Sequence, residues 1–206
     1  MLADRYSLFI FDWDGTLIRS TPLVRITRLF KKRYNVKRMR SQPGQGSRSV
    51  QNSIESKASI NRFYAFIYDI YASIFKPELK PGAMDLIKSL KENGKRVAIF
   101  SDANRHRLFI ETRALGILEN VDLVLSADSI KKFKPDPTGL VLIRAKFRTR
   151  RDKCIYIGDM AVDIFTARFA GIKSCAVCDG VDSREILTSA APDYIVGRIG
   201  GFAKIK

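Results

Sequence analysis

Acidic residues are scarce in this 206-residue chain relative to basic ones. It has 21 Asp and Glu against 37 Lys and Arg, so the formal net charge is +16. Its three cysteines are too few for a disulfide framework, which indicates a reducing compartment and predicts a cytoplasmic protein. No stretch approaches the roughly 18 uncharged apolar residues of a membrane helix. The N-terminus also lacks the pattern of a signal peptide. We therefore expect no membrane association.

The excess positive charge is concentrated in two segments. Ten basic residues and no acid lie between Arg19 and Arg48, and a second basic run extends from Arg144 to Lys153. This charge predicts an anionic partner, which could be a small phosphorylated molecule or a nucleic acid. Solvated helix faces would explain the same runs without a ligand. The first segment has only Phe30 and Tyr34 as aromatics, few for stacking on bases, so nucleic acid is the less favoured partner.

Short apolar runs alternate with helical patterns over most of the chain. Runs of this kind are typical of strands that are buried on both faces of a parallel sheet. They cover residues 7–11, 96–100, 122–125, 154–157, 174–177 and 194–196. Apolar residues at helical spacing occupy residues 82–93, 105–115, 137–147 and 161–170. The alternation predicts an α/β fold with a doubly wound, Rossmann-like parallel sheet.

One long segment interrupts this alternation. Residues 19–77 contain no strand-like run, and Thr21-Pro22 is a favourable helix start. An apolar stripe at steps of three and four residues follows from Ile60 to Ile74. The sequence therefore predicts a small α-helical domain at 19–77, inserted after the first strand of an α/β core that comprises residues 1–18 and 78–206.

Polar residues suited to phosphate chemistry follow four of the predicted strands. They are Asp12 and Asp14 after the first strand, Ser101 and Asp102 after the second, Lys134 after the third, and Asp159 and Asp163 after the fourth. Because ligands of such sheets bind at the carboxyl ends of the strands, we expect these side chains to converge. Gly15 permits the turn that would direct both acids of the first pair into the crevice.

The chemistry of this set favours a metal and a phosphate. Clustered carboxylates repel each other unless a cation lies among them, and Mg²⁺ prefers oxygen ligands. A lysine and a hydroxyl beside them suit a phosphate group. A calcium-binding loop is the alternative for residues 12–15, but such loops need further oxygen ligands, and residues 17–21 offer no carboxylate.

These motifs resemble the haloacid dehalogenase superfamily, on its phosphatase branch with a helical C1 cap. Residues 12–17 correspond to its first motif, Ser101 to the second, Lys134 to the third, and residues 158–159 with Asp163 to the fourth. The position of the inserted domain resembles that in the phosphoglycolate phosphatase, pyrophosphatase and β-phosphoglucomutase group. One departure is Asp102, where many relatives have asparagine.

The resemblance implies a Mg²⁺-dependent hydrolysis of a small phosphate monoester or pyrophosphate. Asp12 would attack phosphorus and form an aspartyl-phosphate, and Asp14 would protonate the leaving oxygen and later deprotonate water. Asp12, the main-chain carbonyl of Asp14 and Asp159 would hold the metal, with Asp163 acting through water or orienting the other ligands. The phosphoryl group would bind to Ser101, to the backbone N–H of Asp102 and to Lys134.

Other functions remain open at this point. A phosphomutase of the same superfamily would use the same Asp12 and Asp14, whereas a dehalogenase is disfavoured because Asp14 is present. A nucleic-acid-associated protein, or a phosphatase acting on phosphorylated ends, would use the basic cap instead. We expect a monomer or homodimer. Three further predictions are minor: Trp13 packs in the core, His106 lies at the surface or a helix start, and Cys175 and Cys178 are structural thiols.

Overall fold

The computed structural model describes residues 2–19 and 77–204. By its internal contacts the chain divides into two compact units, residues 21–76 and the remainder. The α/β core lies almost wholly within the described residues. The predicted helical cap and nine of the ten basic residues between Arg19 and Arg48 lie outside them, so the cap stays a prediction.

Six parallel strands form one sheet in the described part of the chain. They are β1 (Leu8–Phe11), β2 (Arg96–Ser101), β3 (Leu123–Ser126), β4 (Cys154–Gly158), β5 (Lys173–Val177) and β6 (Tyr194–Val196). The strand order is β3-β2-β1-β4-β5-β6, and every neighbouring pair is parallel. This confirms the predicted doubly wound sheet, and each predicted strand boundary lies within one residue of the observed one.

Helices connect the strands, as the alternating pattern predicts. They are α1 (Leu2–Arg5), α2 (Ala83–Glu92), α3 (Arg105–Ala114), α4 (Ala127–Ile130), α5 (Thr138–Lys146), α6 (Ala161–Ala170) and α7 (Arg184–Ser189). Short 3₁₀ helices cover Leu118–Asn120, Arg151–Lys153 and Ile199–Lys204. All four helices predicted for the core are present, whereas the short α1, α4 and α7 were not predicted from the sequence. No helix in the described ranges combines the length and the apolarity needed to cross a membrane.

The sheet is covered on both faces, and every residue of its two central strands, β1 and β4, is buried. All four residues of β1 are buried, and they alternate between two cores. Phe9 and Phe11 pack with residues of α2, α3 and the last 3₁₀ helix. Leu8 and Ile10 pack with residues of α5 and α6. Helices therefore pack against both faces of the sheet.

The strand order places a switch point between β1 and β4. These two strands are neighbours, but the chain continues from β1 toward β2 on one side and from β4 toward β5 on the other. In open parallel sheets, the crevice at such a point is where ligands bind. The first and fourth predicted motifs follow β1 and β4, so the fold brings them to the same crevice.

Candidate active site

The loop after β1 turns sharply and buries both acids of the first motif. Gly15 has a φ of 83°, a left-handed conformation that favours glycine. The backbone N–H of Asp12 donates to the carbonyl of Ile157 on β4 (2.8 Å), which fixes the start of the loop at the switch point. Asp12 and Asp14 are only 1% and 3% exposed. The predicted turn is thus confirmed, and both carboxylates lie within the protein.

Lys134 joins the first motif to the fourth. Its Nζ lies 2.6 Å from Oδ1 of Asp12 and 2.7 Å from Oδ1 of Asp163, and the side chain is buried. Burial alone would lower the pKa of Lys134, but the charges of Asp12 and Asp163 raise it well above its usual value. Lys134 is therefore a positive charge fixed between two carboxylates that are 151 residues apart in the chain.

Asp102 helps to hold this lysine in place. Its Oδ1 accepts a hydrogen bond from the backbone N–H of Lys134 (3.1 Å), so the carboxylate is used on the lysine loop. Aromatic rings complete the surroundings, with Nζ of Lys134 lying 5.7 Å from the centre of the Phe100 ring and 5.2 Å from that of Tyr156. The acid at position 102 can therefore make the same contact as the asparagine of many relatives, since either side chain can accept from a backbone N–H.

The two acids of the fourth motif are fixed by several hydrogen bonds. Asp159 accepts from the Thr16 hydroxyl (3.0 Å) and from the backbone N–H of Val181 (2.8 Å). Asp163, in the first turn of α6, accepts from the backbone N–H of Met160 (3.0 Å). The Tyr156 hydroxyl lies 3.2 Å from Oδ1 of Asp163, and burial raises the pKa of Tyr156 well above its usual value. That hydroxyl therefore keeps its proton, which it can share between Asp163 and the carbonyl of Phe100 (3.1 Å).

Three of the acids form a group that fits a hard cation. Asp12, Asp159 and Asp163 are buried, and each offers a carboxylate oxygen within 4.8 Å of the others. An all-oxygen donor set of this kind suits Mg²⁺. Two glycines leave room for these carboxylate side chains. A Cβ on Gly158 would lie 2.4 Å from the Asp163 side chain, and one on Gly180 would lie 2.2 Å from that of Asp159.

Ser101 lies at the carboxyl end of β2, beside the first motif. It is 1% exposed, and its Oγ accepts a hydrogen bond from the backbone N–H of Ala103 (3.1 Å). The predicted role of Ser101 and of the Asp102 N–H in phosphate binding stays a prediction. Asp14 does not belong to the carboxylate group around Lys134, because its side chain is bound elsewhere.

The partner of Asp14 is Arg107 on α3, which the sequence reading missed. Nη1 of Arg107 donates to Oδ2 of Asp14 (3.1 Å), and Nη2 donates to Oδ1. Nε of Arg107 donates to Glu111 (3.1 Å), whose other oxygen accepts from the Trp13 indole (2.7 Å). The sequence did contain a signal for a buried acid next to Arg107. Leu108, Glu111 and Leu115 share one face of the helix, so Glu111 lies among apolar residues.

The minor predictions have clear outcomes. Trp13 is fully buried, which confirms core packing. His106 is exposed in the first turn of α3, as predicted, and Asn104 caps that helix by accepting from the His106 N–H (2.9 Å). Cys175 is buried and Cys178 partly buried, and both are free thiols. Burial raises the pKa of the Cys175 thiol, which makes it a poor nucleophile or metal ligand.

Comparison with known proteins agrees with this geometry. Residues 9–177 match the family model of the haloacid dehalogenase-like hydrolases. Phosphoglycolate phosphatase 1 of Pseudomonas aeruginosa is 23% identical over 214 aligned positions, which cover 93% of this chain and 76% of that protein. The pyrophosphatase PpaX of Bacillus velezensis is also 23% identical, and the alignment covers 100% of this chain and 98% of the relative.

Solved structures show the same fold. A predicted phosphoglycolate phosphatase from Haemophilus somnus superposes with a TM-score of 0.75 at 19% identity, covering 97% of each chain. CbbY from Rhodobacter sphaeroides, solved with phosphate, superposes with a TM-score of 0.67 at 20% identity, covering 95% of each chain. These likenesses confirm the predicted fold class, and the family match covers both the first and the fourth motif. The chain is therefore an enzyme of the haloacid dehalogenase-like hydrolase family, and its curated relatives include phosphatases.

Proposed function

We propose that this protein is a Mg²⁺-dependent phosphatase that hydrolyses a small phosphate monoester or pyrophosphate through an aspartyl-phosphate. The observation that carries the proposal is the buried cluster in which Lys134 bridges Asp12 and Asp163 beside Asp159. The names of the relatives, phosphoglycolate phosphatase and pyrophosphatase, support a small phosphorylated substrate.

Asp12 is the group best placed to attack phosphorus. Its carboxylate lies at the switch point, with one oxygen held 2.6 Å from the Lys134 ammonium. In the first step an Asp12 oxygen forms a bond to phosphorus while the bond to the leaving oxygen breaks. In the second step water forms the new bond to phosphorus, the bond to Asp12 breaks, and inorganic phosphate is released.

Asp14 would move the protons in both steps. It gives a proton to the leaving oxygen in the first step and takes one from the attacking water in the second. Throughout, the charge of Lys134 compensates the negative charge on the phosphoryl oxygens, while Ser101 and the Asp102 N–H donate to them. These contacts fix the transferring group in line with Asp12.

A divalent cation fits the same cluster. Asp12, Asp159 and Asp163, with the main-chain carbonyl of Asp14, would hold Mg²⁺, which would supply positive charge to the phosphoryl oxygens and to the acids. The hydrogen bonds from Thr16 and Val181 fix Asp159, and those from Met160 and Tyr156 fix Asp163. Such outer contacts orient the oxygens so that little reorganisation is needed when the ion binds.

The test is a hydrolysis screen with and without Mg²⁺. The substrates are phosphoglycolate, pyrophosphate, sugar phosphates, nucleotides and 5′-phosphorylated oligonucleotides, assayed with the wild-type protein and Asp12→Asn. Asp152→Asn is the matched control, because Asp152 is exposed and its ion pair in the described part of the chain is with Arg150, two residues away. We expect Mg²⁺-dependent release of phosphate that Asp12→Asn abolishes and Asp152→Asn retains.

Three results would contradict the proposal. Hydrolysis that survives Asp12→Asn would refute the aspartyl-phosphate. Transfer of the phosphoryl group to a second position of a sugar, without phosphate release, would identify a phosphomutase. Oligonucleotide binding without turnover, weakening steeply as salt rises, would identify a nucleic-acid-binding protein.

A further inference from the structure

The Arg107 guanidinium is bound on three sides by acids. Both terminal nitrogens donate to the two oxygens of Asp14, and Nε donates to Glu111 (3.1 Å). The three side chains are nearly inaccessible, with side-chain exposures of 11% for Arg107, 4% for Asp14 and 5% for Glu111. A buried two-point contact of this kind fixes the plane of a carboxylate as well as its position.

The far end of this network returns to the first motif. Glu111 accepts the Trp13 indole N–H at 2.7 Å, and Trp13 directly precedes Asp14. Arg107 and Glu111 are four residues apart on α3, so they project from the same helical face. The helix therefore holds two consecutive residues of the motif-one loop by independent contacts, and the Trp13 ring is anchored in the core.

The bonding of Arg107 argues against direct substrate binding. Three of its five N–H groups donate to the carboxylates of Asp14 and Glu111, and with only 11% of the side chain exposed the guanidinium offers little access to a substrate anion. Arg107 is also shared between two acids, which cancels its charge locally. Its geometry fits a residue that holds Asp14.

We propose that Arg107 is a positioning residue for Asp14, and that Glu111 and Trp13 in turn fix Arg107. The inference rests on the proposed phosphatase function and assigns to α3 the orientation of the group that transfers protons. Proton transfer requires a donor and an acceptor about 2.6–3.2 Å apart, so a freely rotating Asp14 would reach the leaving oxygen only part of the time. A carboxylate fixed by a packed helix avoids that loss.

Leaving-group dependence tests the proposal. Arg107→Ala should lower kcat/KM, which reports the first step alone, by about 10–100-fold for an alkyl phosphate, whose leaving oxygen needs a proton. The loss should be clearly smaller for p-nitrophenyl phosphate, because nitrophenolate departs without protonation. Arg113→Ala is the matched control, since Arg113 is exposed on the same helix and the change in charge is the same. An equal loss for both substrates would overturn the inference.

A double-mutant cycle gives the second test. If Arg107 acts only through Asp14, Arg107→Ala should have almost no further effect on kcat in a protein that already carries Asp14→Asn. Losses that multiply in the double variant would show that Arg107 acts independently of Asp14, which would overturn the inference.

The variants are chosen so that misfolding does not obscure the result. Arg107→Lys retains a cation that can reach only one partner, and Glu111→Gln retains an acceptor for Trp13 while removing the charge that holds Arg107. Both should show a smaller loss with the same leaving-group dependence, in proteins whose thermal unfolding is cooperative. Absence of Asp12-dependent hydrolysis in the wild type would overturn the proposed function and this inference together. Normal wild-type hydrolysis with uniform losses in the variants would overturn this inference alone.

Discussion

Replacing Gly158 by alanine should disturb the acidic cluster more than a single methyl group normally would. The added Cβ would lie 2.4 Å from Cβ, Cγ and Oδ2 of Asp163, whereas ordinary contacts begin at 3.4 Å. The two groups must therefore separate by about 1.0 Å, the difference between those distances. Because one of the clashing atoms is the Asp163 Cβ, which is fixed by the α6 backbone, rotating the side chain cannot relieve the contact.

The clash has two consequences of calculable size. Overpacking in a dense interior costs about 1–3 kcal/mol of unfolding free energy. For a chain of this length, that corresponds to a melting temperature about 2–12 °C lower. Displacing Asp163 also disturbs its contacts with Lys134 (2.7 Å) and the Met160 N–H (3.0 Å). We expect Mg²⁺ to bind about 10–100-fold more weakly, as is usual when the orientation of a metal-binding residue is lost.

Calorimetric titration with Mg²⁺ and thermal unfolding with and without the ion measure these effects. Gly197→Ala is the control, because no described atom lies within 4 Å of the Cβ position of Gly197, and its φ is not left-handed. That variant should bind Mg²⁺ normally and be unchanged or about 0.4–1 kcal/mol more stable. If Gly158→Ala matched Gly197→Ala in both measurements, the cluster would be more tolerant than its packing indicates, and the reasoning would be refuted.

Two other predictions concern charge. Lys134→Met removes the ammonium between Asp12 and Asp163, so it should lower the free energy of unfolding by about 3–5 kcal/mol in the absence of metal. Mg²⁺ binding to the folded protein would restore part of this loss. Equal losses in urea unfolding with and without Mg²⁺ would contradict the argument. Burial would raise the pKa of Asp122, but hydrogen bonds from Lys91, Val97 and Arg96 leave it below 3.8. The carboxylate of Asp122 therefore stabilises the fold fully above about pH 3.8, and this contribution is lost as the pH falls through its folded-state pKa. The destabilisation caused by Asp122→Asn should accordingly be smaller in acid. A pH-independent difference in denaturant unfolding would count against this.

The strands could be located from the sequence because a strand that is buried on both faces consists of a continuous run of apolar residues. In β1 every residue is apolar and buried, and a continuous apolar run this short favours a strand over a helix. Helix ends could also be predicted where a glycine adopts the left-handed conformation, as Gly171 does after α6 with a φ of 66°. The four-residue α4 escaped detection because so short a helix has no periodicity.

The predicted site residues share one property: each lies at the carboxyl end of a strand or in the segment that follows it, which for Lys134 comes after the short α4 and for Asp163 is the first turn of α6. The topology of a parallel sheet brings such positions to one edge, so proximity could be deduced from order along the chain. Arg107 and Glu111 lie inside a helix, and Arg107 reaches Asp14 across 93 residues of sequence. Their partner depends on the rotation of α3 against the motif-one loop, and side-chain packing sets that rotation. The buried position of Glu111 was visible in the helical spacing, whereas its function as a support for Arg107 was not.

The sign of the charge at the site is opposite to that of the chain. The chain carries +16, yet the described carboxyl edge gathers Asp12, Asp14, Asp102, Glu111, Asp159 and Asp163 around Lys134 and Arg107. Both cations are already bound by carboxylates. Within the described residues the site therefore has an excess of acid. A phosphate that binds there needs added positive charge within the acidic cluster, which is what a divalent cation would supply.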